Sequence, residues 1–140
     1  MKKLLIIEDN NDFLQLLSSV LQKDFQVYQA TGTKEAQAIL ETVTVNAICS
    51  DYNLLDGTGL ELLMELRHSN IETPFLLMSG YDNYFIADMA KKHNATFCCK
   101  TDYELIERVR NFLDLHLMMV QRMKELFFQE YMHFTSRRNL

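Results

Sequence analysis

Asn46-Ala47-Ile48-Cys49-Ser50-Asp51 runs directly into Tyr52-Asn53-Leu54-Leu55-Asp56-Gly57-Thr58-Gly59. A short apolar run that ends on a carboxylate and passes into a polar turn with two glycines has the pattern of a buried parallel strand, one that delivers Asp51 to the edge of a sheet. The remaining chemistry-bearing residues can be placed around Asp51.

Upstream, Lys3 to Glu8 is a largely apolar run of strand length. Asn10-Asn11-Asp12 supplies helix-capping chemistry, after which Phe13, Leu16, Leu17, Val20 and Leu21 recur at helical spacing. Phe25 to Ala30 alternates as a second strand, and Thr31-Gly32-Thr33 turns into a helix with Ala36, Ile39 and Leu40 on one face. Downstream of Asp51, Thr58 and Glu61 have the spacing of a capping box and open a helix with Leu62, Leu63 and Leu66. Pro74, the only proline, begins the apolar run Phe75-Leu76-Leu77-Met78-Ser79-Gly80. A fourth helix is expected from Asn83 to Lys92 with Ile86, Met89 and Ala90 inward, then a fifth strand from Ala95 to Cys99 ending at Lys100. Thr101 and Glu104 read as a second capping box, starting a helix through Leu105, Ile106, Val109, Phe112 and Leu113. Five strands alternating with five helices specify a five-stranded parallel sheet covered on both faces, a doubly wound, flavodoxin-like α/β fold.

Composition narrows the class. A chain of 140 residues, 48% apolar and 24% charged, has the make-up of an ordinary soluble globular domain large enough to bury a core. No apolar run has the length of a membrane span, and the opening Met1-Lys2-Lys3-Leu4-Leu5-Ile6-Ile7 meets Glu8 and Asp9 too early for a secretory signal. No membrane association is expected. The net charge of −5 provides no basic field for nucleic acid, so none is expected to bind this chain alone. From Leu117 onward four cationic residues (Arg122, Lys124, Arg137, Arg138) outnumber two acidic ones (Glu125, Glu130), a net of +2 that leaves −7 to the preceding part. Cys49, Cys98 and Cys99 lie in strand-like runs without metal-ligand spacing, as small core residues of a protein in a reducing, cytoplasmic compartment.

In doubly wound folds ligands bind beyond the carboxyl ends of the strands, at the switch point in strand order. The residues that finish strands here are Glu8 and Asp9, Asp51, Ser79 and Gly80, and Lys100. Three carboxylates converging on one edge repel one another and call for a cation. Mg²⁺ fits, because it takes hard oxygen ligands and keeps several waters, so two carboxylates, a backbone carbonyl and water can complete its shell. Ser79 can donate to an anion, Lys100 can pair with it, and Gly80 leaves room for its approach. Such a set suits phosphoryl transfer, with Asp51 as the nucleophile.

The arrangement resembles the receiver domain of two-component response regulators over about Lys3 to Leu115, carried by Glu8-Asp9, Asp51 with Asn53, Leu54 and Gly59 after it, Ser79-Gly80 and Lys100. Any one of these residues has an ordinary structural use; the ordered set at successive strand ends is what points to function. The resemblance implies that Asp51 accepts a phosphoryl group from a phosphohistidine on a sensor kinase or phosphotransfer protein. It implies that Asp9, Asp51 and the Asn53 carbonyl bind Mg²⁺ with Glu8 acting through water, and that Ser79 and Lys100 hold phosphoryl oxygens. A switch is implied between Ser79 and Phe97, three positions before Lys100, acting on the surface of the fourth helix, fifth strand and fifth helix. Two positions depart from the family pattern: Thr101 stands where proline usually follows the lysine, and Leu55 where proline often follows the phosphoacceptor. Tyr81, two residues beyond Ser79, is expected to shield the phosphoryl group from water. A hydrolase on this fold would want an aspartate two residues beyond the nucleophile, where this chain has Asn53. A receiver that binds partners without phosphorylation remains the alternative, kept open by Thr101.

The receiver-like part is expected to span residues 1–116 and a helical extension residues 117–140. The extension lacks Gly and Pro and is expected to prolong the fifth helix. Leu113, Leu117, Val120, Phe127, Tyr131 and Phe134 form one stripe interrupted by Lys124, widened by Met119, Met123 and Leu126. A helix so apolar calls for a partner. The stripe suits homodimerisation, docking on a partner, or the opening of a helix leading to an output domain; dimerisation is the expectation, through the fourth helix, fifth strand, fifth helix and extension.

Overall fold

The computed structural model describes residues 1–138, apart from the side chains of Leu117, Val120 and Arg138. Those three members of the C-terminal segment, two of them in the expected stripe, lie outside what is described of side chains.

Strands β1 (Lys2–Ile7), β2 (Phe25–Ala30), β3 (Ala47–Asp51), β6 (Phe75–Ser79) and β7 (Thr96–Cys99) form one sheet in the order β2-β1-β3-β6-β7. All its pairings are parallel. The expected five-stranded, doubly wound sheet is therefore the observed one. Every residue of β3 and β6 is buried, as a central parallel strand covered on both faces requires. Strand order reverses between β1 and β3, so the crevice beyond their carboxyl ends receives Glu8, Asp9 and Asp51.

Helices α1 (Asn11–Leu21) and α5 (Leu105–Arg138) cover one face of the sheet; α2 (Thr33–Thr42), α3 (Gly59–His68) and α4 (Tyr84–Lys92) cover the other. The first core joins Leu14, Leu17 and Leu21 to Val109, Phe112 and Leu113 across Leu4, Ile6, Leu76 and Met78. The second joins Ala36, Leu62, Leu63, Leu66, Ile86 and Ala90 across Leu5, Ile7, Ile48 and Leu77. Of the residues at helical spacing in α1, Leu17 and Leu21 are buried and Phe13 packs against the first core. Leu14, Leu17, Ser18 and Leu21 are buried, while Leu16 is 56% exposed. Leucines at 14, 16 and 17 support either face, and only docking on the sheet selects one.

The caps explain where helices begin. Asn10 Oδ1 accepts from Phe13 N–H at 3.0 Å, Thr58 Oγ1 from Glu61 N–H at 3.1 Å, and Asn83 Oδ1 from Ile86 N–H at 3.1 Å. The expected capping box at Thr101 does not form. Instead α5 starts at Leu105, the Asp102 carboxylate accepts from Glu104 N–H at 2.9 Å, and the Thr101 hydroxyl lies 3.0 Å from Cys99 Sγ. No peptide bond among the described residues is cis, so the Lys100–Thr101 bond is trans.

Between β3 and α3 the expected turn carries a small antiparallel hairpin, β4 (Asn53–Leu54) and β5 (Gly57–Thr58). Gly57 has φ +148, a conformation that side-chain-bearing residues rarely adopt. The Asp56 carboxylate at its tip reaches the amino end of α2, accepting from Thr33 N–H at 2.7 Å and Lys34 N–H at 3.0 Å. At the opposite end of the molecule the side chain of Arg67 donates to the carbonyls of His93 (2.8 Å), Ile71 (2.7 Å), Thr73 (3.0 Å) and Asn94 (3.1 Å). One guanidinium thus fastens the end of α3 to the end of α4.

Candidate phosphoryl and metal site

Glu8 leaves β1 with its backbone N–H bonded to Ala30 O at 2.9 Å, which holds its side chain at the sheet edge. Asp51 ends β3, and Tyr52 N–H, bonded to Met78 O at 2.6 Å, ties that end to β6. Ser79 ends β6, and Lys100 N–H donates to Ser79 O at 2.7 Å, which fixes where β7 releases its lysine. The sheet register itself therefore brings these residues together.

One ligand oxygen from each of Glu8, Asp9 and Asp51 lies within 4.8 Å of the others. Glu8 is fully buried and Asp51 is 6% exposed. Burial pushes both carboxyls above their ordinary values: for Glu8 desolvation outweighs the opposing hydrogen bond from Lys100, and for Asp51 it outweighs the Lys100 charge. Such a cluster favours a cation. Hard oxygen donors on three carboxylates suit a divalent ion of the Mg²⁺ or Ca²⁺ type, so the residues present fit the expected metal.

Lys100 is the protein's own cation here. Its Nζ lies 2.9 and 3.0 Å from the two Glu8 oxygens, 3.4 Å from Asp51 Oδ2, and 4.5 Å from the centre of the Phe13 ring. The nearest partner of Lys100 is thus Glu8, the residue that the family resemblance places at the metal through water. Strand spacing announces that both residues reach the edge, but not which carboxylate the ammonium prefers.

Ser79 is 1% exposed, and its hydroxyl has no hydrogen-bond partner among the described residues. A buried unpaired hydroxyl costs on the order of 1–3 kcal/mol, a cost a bound acceptor would remove. A Cβ built on Gly80 would meet nothing within 4 Å, so the backbone beyond Ser79 borders open space. Phe97 is half-buried in the second core. The register sets Leu77 beside Phe97 and Ser79 beside Cys99, so Phe97 shares the sheet face of Ser79 one pleat away. Asn53 is the exposed residue of the short strand β4, whose other residue, Leu54, is buried, and Tyr81 is 57% exposed.

Gly59, a member of the motif that follows Asp51, has a packing reason that the sequence pattern does not show. A Cβ there would press on the carbonyl oxygen of Asp51 and lie 2.7 Å from Ser50 Oγ and 2.9 Å from Leu77 Cδ1. The helix after the hairpin therefore packs directly under the Asp51 backbone, a closeness that only tertiary structure reveals. The Ser50 hydroxyl also donates to Asp51 O at 2.9 Å.

Comparison with known proteins agrees with this geometry. The response regulator receiver domain family matches residues 4–110. The photosynthetic apparatus regulatory protein RegA of Rhodobacter capsulatus is 31% identical over 96 residues, 68% of this chain and 52% of RegA. The cell cycle response regulator CtrA of Brucella ovis is 33% identical over 79 residues, 56% of this chain and 34% of CtrA. The chain thus spans about half the length of one relative and a third of the other. Among solved structures, a response regulator from Burkholderia pseudomallei with a phosphorylated aspartic acid, calcium ion and citrate matches with TM-score 0.72 and 26% identity, over 90% of this chain and 74% of that one. The receiver domain of a Luxo repressor protein from Vibrio parahaemolyticus matches with TM-score 0.80 at 17% identity, over 89% and 96%, a likeness of fold. No described helix is long and apolar enough to cross a membrane. With the matched residues covering β1 through the first part of α5, this chain belongs to the response regulator receiver domain family.

Proposed function

We propose that the chain is a phosphoacceptor module of a cytoplasmic phosphorelay, in which Asp51 takes a phosphoryl group from a phosphohistidine on a sensor kinase or phosphotransfer protein. The observation that carries this reading is the convergence of Glu8, Asp9 and Asp51 with the Lys100 ammonium among them. An Asp51 oxygen forms the new P–O bond as the P–N bond to histidine breaks, and an ionised carboxylate needs no general base for that attack. Lys100 offers positive charge to the incoming phosphoryl oxygens, and the unpaired Ser79 hydroxyl supplies a donor to one of them. Asp9, Asp51 and the Asn53 carbonyl would hold Mg²⁺, with Glu8 acting through water; the ion neutralises charge on phosphoryl oxygens.

Phosphorylation adds about −1.5 to −2 charges at Asp51 and draws the Ser79 hydroxyl toward it. Phe97, one pleat away on the same face, follows into the space Ser79 vacates and alters the surface of α4, β7 and α5. That surface, continued by the α5 extension, is the self-association face. Catalysis is self-directed, limited to phosphoryl uptake and loss, and Tyr81 shields the phosphoryl group from water.

The test is to incubate the chain with Mg²⁺ and acetyl phosphate and follow intact mass. One phosphate is expected on the wild type and none on Asp51→Asn. A folded wild type that takes up no phosphate removes this reading and favours a receiver that binds partners without phosphorylation.

A further inference from the structure

We propose that the C-terminal half of α5 pairs with the same segment of a second copy in antiparallel orientation, in a register that sets Lys124 against Phe127 and Glu130 of the second copy. This rests on the self-association read above and assigns it an orientation and register.

Leu113 is the last described helix residue buried in the domain core, and every described side chain from Met118 to Phe134 is exposed. Among them Met123 is 67% exposed and Phe127 75%. A helix carrying this much apolar surface seeks burial. Leu117, Val120, Lys124, Phe127, Tyr131 and Phe134 are separated by alternating steps of three and four, the seam of a two-stranded coiled coil. Lys124 occupies the middle of that seam, where a single charged residue dictates register and orientation.

The charges select the orientation. Arg122 and Glu125 pair with each other at 3.6 Å, whereas Lys124 and Glu130 have no ion pair among the described residues. Parallel pairing would set the two Lys124 ammonium groups face to face and leave Glu130 of the second copy about 9 Å along the axis. Antiparallel pairing, with Lys124 level with Phe127, brings that Glu130 to about 4.5 Å along the axis. Symmetry then makes two Lys124–Glu130 ion pairs, and each ammonium also lies over a Phe127 ring. The same register sets position 117 level with position 134 and position 120 level with position 131. Sliding one heptad toward the domain would demand Leu113, which is 0% exposed in its own core. Finally, the net +2 of the extension and −7 of the preceding part favour the arrangement that lays the basic end of each helix alongside the other copy's acidic domain.

Cross-linking tests the orientation. Equal amounts of a Val120→Cys chain and a larger, tagged Tyr131→Cys chain are mixed and oxidised, with the unsubstituted chain as control for Cys49, Cys98 and Cys99. The mixed-size product is expected to dominate. Sedimentation equilibrium is expected to show roughly fivefold weaker dimers for Lys124→Glu and for Glu130→Lys, and recovery in the double variant. The melting transition of the receiver core, unchanged in all variants, is the folding control. Same-size cross-links with a persistent dimer, or a double variant that stays weak, overturn the antiparallel register and leave self-association standing. A monomeric mass for the unsubstituted chain at every concentration overturns both, whatever Asp51 does with phosphate.

Discussion

The Lys100 ammonium grips both oxygens of buried Glu8, at 2.9 and 3.0 Å, and touches Asp51 only at 3.4 Å. The cation therefore sits nearer Glu8 than Asp51, the proposed phosphoacceptor. One positive charge serves three carboxylates, and burial, with a smaller push from the neighbouring carboxylate, raises the pKa values of Glu8 and Asp51.

That imbalance has a sign. A carboxyl whose folded pKa lies above its unfolded value binds more protons folded than unfolded, so stability falls as pH rises from the ordinary values of 3.8 and 4.5 through the raised ones. Divalent cations compete with those protons. Thermal melts at pH 5 and pH 8 are expected to show a larger Mg²⁺-induced rise in Tm at pH 8; an equal rise at both would mean that neither carboxyl binds the ion.

Gly59 and Gly80 flank the site but differ in the space beside them. Gly59→Ala forces a methyl against Asp51 O, Ser50 Oγ and Leu77, an overpacking that costs about 1–3 kcal/mol and displaces Asp51. Gly80→Ala meets nothing and leaves stability near that of the wild type. Urea denaturation of the two variants gives the comparison, and phosphate uptake should fall in Gly59→Ala.

Arg67 holds four carbonyls with one planar fork, which a lysine cannot imitate. Arg67→Lys is expected to cost about 1.5–3 kcal/mol in urea denaturation, the range for hydrogen bonds to a charged group. Phosphate uptake should survive, because this fastening lies at the amino ends of the strands, away from Asp51.

Asp56 joins the hairpin after Asp51 to the start of α2, and the Lys34 and Thr33 N–H groups lower its pKa below 3.8. The stabilisation is present above that ordinary value and is lost as pH falls through the lowered folded one. Asp56→Ala should melt below the wild type at pH 7, and the gap should close in strong acid. A gap independent of pH would show that the carboxylate charge is not what the helix end binds.

Apolar periodicity and caps were enough to read five strands, five helices and their alternation, because parallel strands buried on both faces leave long apolar runs and polar punctuation at their ends. Asn10, Thr58 and Asn83 cap as their local sequence suggests, since capping involves neighbours three residues apart. Thr101 does not, because Asp102 offers a stronger acceptor one residue closer to the helix.

By itself the sequence determined which residues arrive at the carboxyl edge: Glu8, Asp9, Asp51, Ser79 and Lys100 each follow a run whose length and apolarity specify a strand. It also specified a helix that runs on beyond the family match, with an apolar stripe interrupted at Lys124. Only the tertiary structure decided that Lys100 prefers Glu8, that Ser79 is left without a partner among the described residues, that Leu14 and not Leu16 faces the sheet, and that Gly59 lies against Asp51. Those outcomes depend on distances of a few ångströms between segments far apart in the chain, set by sheet register and helix docking, and no local pattern of residues encodes them.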